Sequence, residues 1–244
     1  YAEPADVTIQ VTATDEDGTG AARPLPVTVT NRAPVVAAAR FAPDPLDEGG
    51  TATITVVATA PGGGPVTIAF DLDDDGVYGE PGEPVGDDGR AHRHFPDDVA
   101  GATIGFRAVD AQGAATTGSL TIPVRNVAPS LAVRADGQLI TAGPDVAPLV
   151  IDDGDELTVQ VAAIDPGTDT VTSYVIDWGD GTAPERVDAA GEPTHVYALA
   201  PTATEDAHYT VTVSAPTDED GTYPSVRVAF EVTVTWRDRL APDT

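Results

Sequence analysis

The sequence contains no cysteine, no methionine and no lysine. Without cysteine there is no disulfide to staple the fold, no thiolate metal ligand and no sulfur nucleophile, and an oxidising compartment is neither required nor excluded. Aromatic residues are only 5% of the chain, too few to mark a cleft with a sugar-stacking platform, which argues against a glycosidase despite the abundance of carboxylate pairs. Serine is scarce, and neither a Gly-x-Ser-x-Gly elbow nor a phosphate-binding loop is present. The four histidines are His92, His94, His195 and His208. His92 and His94 share a strand face at spacing two, but no third nitrogen ligand follows, so a zinc site is incomplete. There is no apolar run of about 18 residues and no signal peptide, so no membrane insertion is expected in this segment, and a secreted protein would be a processed part of something longer.

What is present is acid. Forty Asp and Glu face twelve basic residues, all Arg, for a net charge of −28. Such a surface repels nucleic acid and anionic lipid and attracts divalent cations. The Arg-only usage fits either a GC-rich coding bias or adaptation to salt. Hydrophobic residues make up 41% of 244, enough for packed cores and too long a chain for one ordinary domain.

A pattern recurs three times at intervals of roughly 100 residues, the size of one immunoglobulin-like sandwich. It runs Val11 through Asp15-Glu16-Asp17-Gly18 to Pro26–Thr30 and Asn31-Arg32-Ala33-Pro34. It returns as Phe106 through Asp110-Ala111-Gln112-Gly113 to Ile122–Arg125 and Asn126-Val127-Ala128-Pro129. The third copy runs from Val211 through Asp218-Glu219-Asp220-Gly221 to Val228–Thr235 and an Arg237–Pro242 junction. Each copy reads as two alternating apolar and polar strands joined by an Asp/Gly turn and closed by an Ala-Pro linker. Helical periodicity is absent, so the fold class expected is all-β: tandem immunoglobulin-like β-sandwiches with a partial domain, a terminal hairpin, at the N-terminus. The boundaries expected are 1–33 for that hairpin, 34–127 and 128–238 for two full domains, and 239–244 for a linker onward. Residues 52–58 and 66–71 in the first full domain match 157–163 and 173–178 in the second, with Trp178 as a core anchor.

The stretch Ile176-Asp177-Trp178-Gly179-Asp180-Gly181-Thr182, then Thr194-His195-Val196-Tyr197 and Tyr209–Val213, resembles the polycystic kidney disease (PKD) domain. The first full domain resembles a variant of that pattern, Phe70-Asp71-Leu72-Asp73-Asp74-Asp75-Gly76 with His94-Phe95, and lacks the tryptophan. The resemblance implies a seven-stranded sandwich used as a spacer or binding module in surface-layer proteins, adhesins and secreted hydrolases, not catalytic through this domain, with His195 packing near Tyr197.

Strand order alternates loops between the two ends of such a sandwich. In the second full domain the near pole receives Asp165–Asp169 and Asp218–Asp220, and the far pole Asp152, Asp153, Asp155, Glu156, Asp180 and Glu205-Asp206. In the first, the far pole receives Asp44, Asp47, Glu48, Asp73, Asp74, Asp75, Asp97 and Asp98, whereas its near pole has Ala60-Pro61-Gly62 and Asp110-Ala111-Gln112. Ca²⁺ takes six to eight oxygen ligands in irregular geometry and suits carboxylates delivered by several loops. The candidate Ca²⁺ ligands are Asp73, Asp75, Asp165, Asp169, Asp218 and Asp220, against the alternative that all are solvated turn acids. An EF-hand is not expected at Asp71–Asp75, since position 82 is Gly and no helices flank it.

Three functional readings remain. The first is a non-catalytic structural or adhesive segment of an extracellular surface protein or filament, a rod of sandwiches stiffened by Ca²⁺, whose partners are neighbouring domains or subunits of an array or fibre. The second is an accessory polysaccharide- or protein-binding module of a secreted hydrolase, for which Tyr78, Tyr223 and Trp236 are the candidate exposed aromatics. In the third, the two strands of residues 1–31 complete a sandwich with another subunit, the alternative being that they are the C-terminal hairpin of a preceding domain in a longer, truncated array.

Overall fold

The computed structural model describes residues 5–21, 23–140 and 147–236, so the Arg237–Pro242 junction and the 239–244 linker lie outside the described residues. Among these residues the secondary structure is strand without helix, and none offers a helix long and apolar enough to cross a membrane. The chain divides into two units, Tyr1–Arg125 and Asn126–Thr244. It is a tandem of immunoglobulin-like sandwiches preceded by a hairpin.

The hairpin pairs β1 (Ala5–Val11), through the short β2 (Thr14–Asp15) and β3 (Gly18–Thr19), with β4 (Arg23–Val29). Its register sets Val7 against Val27 and Ile9 against Leu25. One face is therefore apolar and the other polar, as the period of two dictates.

The sandwich of the first unit contains β5 (Val35–Ala42), β6 (Leu46–Asp47), β7 (Gly50–Thr59), β8 (Val66–Asp71), β9 (Val85–Gly86), β10 (Arg90–Phe95), β11 (Val99–Asp110) and β12 (Ala115–Arg125). One sheet runs β10-β7-β5, the other β6-β12-β11-β8-β9. Alternation decides which side chains meet: Ala52, Ile54 and Val56 of β7 face Ile68, Phe70, Ile104, Phe106 and Ile122 from the other sheet.

The second unit repeats this order with β13 (Ser130–Ala135), β14 (Gln138–Ile140), β15 (Leu149–Asp152), β16 (Glu156–Ile164), β17 (Ser173–Asp177), β18 (Glu185–Asp188), β19 (Thr194–Val196), β20 (Ala207–Thr217) and β21 (Arg227–Thr235). Its sheets are β14-β13-β16-β19 and β15-β21-β20-β17-β18. In each unit one short strand joins the last long strand in parallel, β6 on β12 and β15 on β21. Each unit has its own core, and that of the second is built around Leu157, Val159, Tyr174, Ile176, Trp178, Tyr197, Val211 and Val213.

Trp178 is buried, as its place at the end of β17 requires. Its indole stacks on the His195 ring at 4.8 Å, His195 meets Tyr197 edge-on at 4.7 Å, and Tyr197 stacks on Tyr209 at 4.7 Å. Polar ends are satisfied at both rims of this ladder: Trp178 Nε1 donates to Glu185 Oε1 at 3.1 Å, and the Tyr197 hydroxyl donates to the Trp178 carbonyl at 2.8 Å. Burial, then the charges of Asp180, Tyr209 and Asp177, pushes the Tyr197 phenol well above its ordinary range. Burial followed by Glu185 takes Tyr174 up to about 12.

Candidate divalent-cation site

The loop between β16 and β17 and the turn between β20 and β21 lie at one end of the second unit. They bring carboxylate oxygens of Asp165, Asp169 and Asp218 within 4.8 Å of one another. Two oxygens on one Ca²⁺, at about 2.3–2.6 Å each, are never more than about 5 Å apart, so the spacing fits a shared ion. The fit is sharpened by burial. Asp218 is 8% exposed, and Asp165 Oδ2 and Asp218 Oδ2 are sealed from solvent and face no protein donor.

The other oxygens of these two residues build the loops. Asp165 Oδ1 accepts the Gly167 amide at 2.8 Å. Asp218 Oδ1 accepts the amides of Asp220 and Gly221, both at 3.0 Å, and lies 3.3 Å from the Tyr223 hydroxyl. Each of these two carboxylates thus fixes its turn with one oxygen and leaves the other sealed and without a protein donor. The two loops are tied to each other by the Thr170 amide, which donates to Glu219 Oε2 at 2.8 Å.

Asp220 sits on the same turn but outside the cluster of three. Its Oδ2 accepts Asn126 Nδ2 at 2.5 Å, and the Tyr223 hydroxyl lies 3.2 Å from Asn126 Oδ1. Asn126 is the first residue of the Asn-x-Ala-Pro linker. A matching contact occurs in the first unit, where Asn31 Nδ2 donates to Asp110 Oδ2 at 2.8 Å. There Asp110 Oδ1 accepts the amides of Gln112 and Ala114. Asn31 first, and then those turn amides against the opposing effect of burial, hold the Asp110 carboxyl below the usual carboxylate range. With both oxygens bonded and Ala60 where the second unit has Asp165, this pole is a closed hydrogen-bonded turn.

Asp73 and Asp75 lie in the loop between β8 and β9. Asp73 approaches Asp71 and Glu83 in one group and Asp75 and Glu80 in another. Asp71 is buried, but its oxygens accept the amides of Asp75 at 3.2 Å and Gly76 at 3.0 Å. Glu83 likewise accepts the amides of Leu72 and Gly79. Asp73, Asp74 and Asp75 are exposed. Asp75 first, then desolvation and the charges of Asp73, Glu83 and Asp71, holds the Glu80 carboxyl above its ordinary range. Glu80, Glu83 and Asn126 escape sequence reasoning as parts of a site, and Tyr223 enters it only as a candidate exposed aromatic. A twelve-residue spacing rule looks at Gly82 and misses Glu83 beside it, and Asn126 reads as linker until its side-chain partner is known.

Other acids of the far pole have structural employment. Asp180 accepts the Thr182 amide and hydroxyl through Oδ1 and pairs with His195 Nε2 at 2.8 Å through Oδ2. Partial burial pushes its carboxyl up, but Thr182 and His195 together outweigh this and hold it below the ordinary range. Of the histidines, His92 Nδ1 lies 3.1 Å from the Thr53 hydroxyl and His94 Nδ1 3.0 Å from the Gly50 carbonyl. Neither belongs to a group of three metal-ligating side chains among the described residues.

No protein-family model matches the chain. No curated protein sequence matches it. Among solved structures it is similar to the N-terminal eight Ig domains of Down Syndrome Cell Adhesion Molecule isoform 1.30.30, at 12% identity and a TM-score of 0.37 over 94% of this chain and 28% of that one. It is similar also to extracellular cadherin domains 1–5 of protocadherin gamma B2, at 15% identity and 0.35 over 97% and 46%. A third is a carbohydrate-binding module of the β-sandwich superfamily, at 13% identity and 0.33 over 88% of each chain. The chain spans under half the length of the first two. At these scores the likeness says nothing about activity, and the sandwich architecture rests on the sheets themselves.

Proposed function

We propose that this chain is a non-catalytic segment of an extracellular surface protein or filament, a run of PKD-type sandwiches whose second unit is stiffened by Ca²⁺ at its near pole. Asp165, Asp169 and Asp218 are the ligands. The observation that carries the cation is a pair of solvent-sealed oxygens without a protein donor, Asp165 Oδ2 and Asp218 Oδ2, on two carboxylates of a cluster of three. A buried ionised oxygen left in that state costs several kcal/mol, and a bound cation removes the cost. Asp220 serves the same pole by holding Asn126 rather than by ligation. Asp73 and Asp75 are the weaker ligands because they are exposed and their buried neighbour Asp71 is occupied by backbone amides.

The PKD reading is supported by how its motif residues are used. Trp178, His195 and Tyr197 form one stacked ladder, and Gly179 occupies a backbone position with φ of 77° that favours glycine. The accessory-module reading requires an exposed aromatic patch. Of its candidates, Tyr78 and Tyr223 are half-buried and Trp236 is exposed, so the spacer reading is preferred.

The test is calorimetric melting of the whole chain in Ca²⁺ and in chelator at matched ionic strength, for wild type and D165N. Asparagine keeps an acceptor for the Gly167 amide and removes one of three repelling charges. In chelator D165N should melt above wild type. In Ca²⁺ at 100 times Kd the wild-type second unit should gain about 2.7 kcal/mol, roughly 10 °C in Tm for a domain of this size, while D165N stays unmoved. Melting indifferent to Ca²⁺, or a D165N response equal to that of wild type, overturns the reading.

A further inference from the structure

About one residue in six of this chain is Asp or Glu, yet β5, β7 and β10 contain none. The sheet they form instead carries Arg40, Arg90, Arg93, His92 and His94. Register sorts these by face. Arg40 of β5 and Arg90 of β10 both pair with Thr55 of β7, and His92 and His94 pair with Thr53 and Thr51. With Ala52, Ile54 and Ala91 buried on the inner side, Arg40, Arg90, His92 and His94 share the outer side with Thr51, Thr53 and Thr55 and are themselves exposed. Arg93 is on the inner register, over the Phe95 ring at 4.8 Å.

The result is a flat face with two guanidiniums flanking Thr55, one strand away on either side, so their Cα atoms are about 10 Å apart. Ion pairs among the described residues include Arg125–Asp47 and His195–Asp180, and neither involves Arg40 or Arg90. The acids nearest in sequence, Asp44, Asp87, Asp88 and Asp97, sit in the turns beyond the strand ends, and Asp88 Oδ1 caps the Arg90 amide. A cationic face kept free of acid on a chain of −28 is complementary to that chain's own surface. Among the described residues, two exposed runs hold three consecutive carboxylates, Asp15-Glu16-Asp17 and Asp73-Asp74-Asp75. The second also gathers Glu80 beside Asp73 and Asp75, and the charge of Asp75, with desolvation and the charges of Asp73, Glu83 and Asp71, holds the Glu80 carboxyl above its ordinary range.

We propose that the outer face of the β5–β7–β10 sheet docks the acidic loop around Asp73–Asp75 of a second copy of this chain. The contact joins two different patches, so it is heterologous and propagates into lateral or linear arrays unless it closes. It stands apart from the cation site of the second unit and is tested in chelator, where that site has no part.

The experiment is sedimentation equilibrium of the full chain in chelator at low and high salt, with two charge-reversal variants, R40E/R90E and D73K/D74K/D75K. All five positions are exposed, and unchanged melting of each variant confirms its fold. Wild type should self-associate at low salt and dissociate at high salt, because the Debye length shrinks from about 30 Å to a few ångströms. Each variant alone should associate at least tenfold more weakly. An equimolar mixture of the two should recover association, since one retains the loop and the other the face. A wild type that stays monomeric at low salt overturns the proposal. So does either variant associating like wild type, or a mixture no stronger than its components. A monomeric wild type that binds a sulfated or carboxylated glycan through Arg40 and Arg90 reassigns the face to that occupant and equally overturns it.

Discussion

At the residue scale the chain separates acids that hold turns from acids that have an oxygen to spare. Asp110 and Asp71 spend both oxygens on amides or on Asn31, whereas Asp165 and Asp218 spend one. That difference, invisible in a count of forty acids, singles out the candidate cation site. Asp180 supplies a different test. Its folded pKa lies below the value of an unfolded carboxylate, about 3.9, so its contribution is fully present above that value and is lost as pH falls through the folded pKa. D180N should therefore cost about 1 kcal/mol at pH 7. In urea unfolding followed by Trp178 fluorescence, the gap between wild type and D180N should close below about pH 4. A gap that does not change with pH contradicts the Asp180–His195 account.

At the element scale much was legible. Alternation placed β7, β8, β16 and β17, and the repeated hairpin pattern of β11/β12 and β20/β21 recurs in β1/β4, whose Ile9, Val11 and Leu25 are exposed. Strand order alone sent Asp165, Asp169 and Asp218 to the same pole. What strand order could not give was side-chain reach, so Glu83 and Asn126 went unread. The Trp-Gly-Asp-Gly motif also mixes two demands that the letters do not distinguish. Gly179 has φ of 77°, and a Cβ there would lie 2.3 Å from the Thr210 carbonyl oxygen. Gly181 has φ of 91° with open space around it. G181A should therefore lose about 1–2 kcal/mol, the cost of the left-handed conformation alone, and G179A distinctly more, because the backbone of β20 must also move. Equal losses by chemical denaturation would mean that the close approach of β17 to β20 is not what fixes this glycine.

At the scale of the whole molecule, two units with separate cores on a chain of net charge −28 fit the proposed spacer, whose stiffness should respond to divalent cations. The central claim is a Ca²⁺ held by Asp165, Asp169 and Asp218, with Tyr223 close to Asp218 Oδ1. Terbium substitutes for Ca²⁺ at oxygen sites and luminesces when a neighbouring tyrosine is excited. Terbium emission from the intact chain under tyrosine excitation is therefore the most direct measurement. Wild type should emit and lose the signal on Ca²⁺ addition, Y223F should bind terbium with weak emission, and D165N should do neither. Full emission from both Y223F and D165N would place the ion elsewhere and contradict the account.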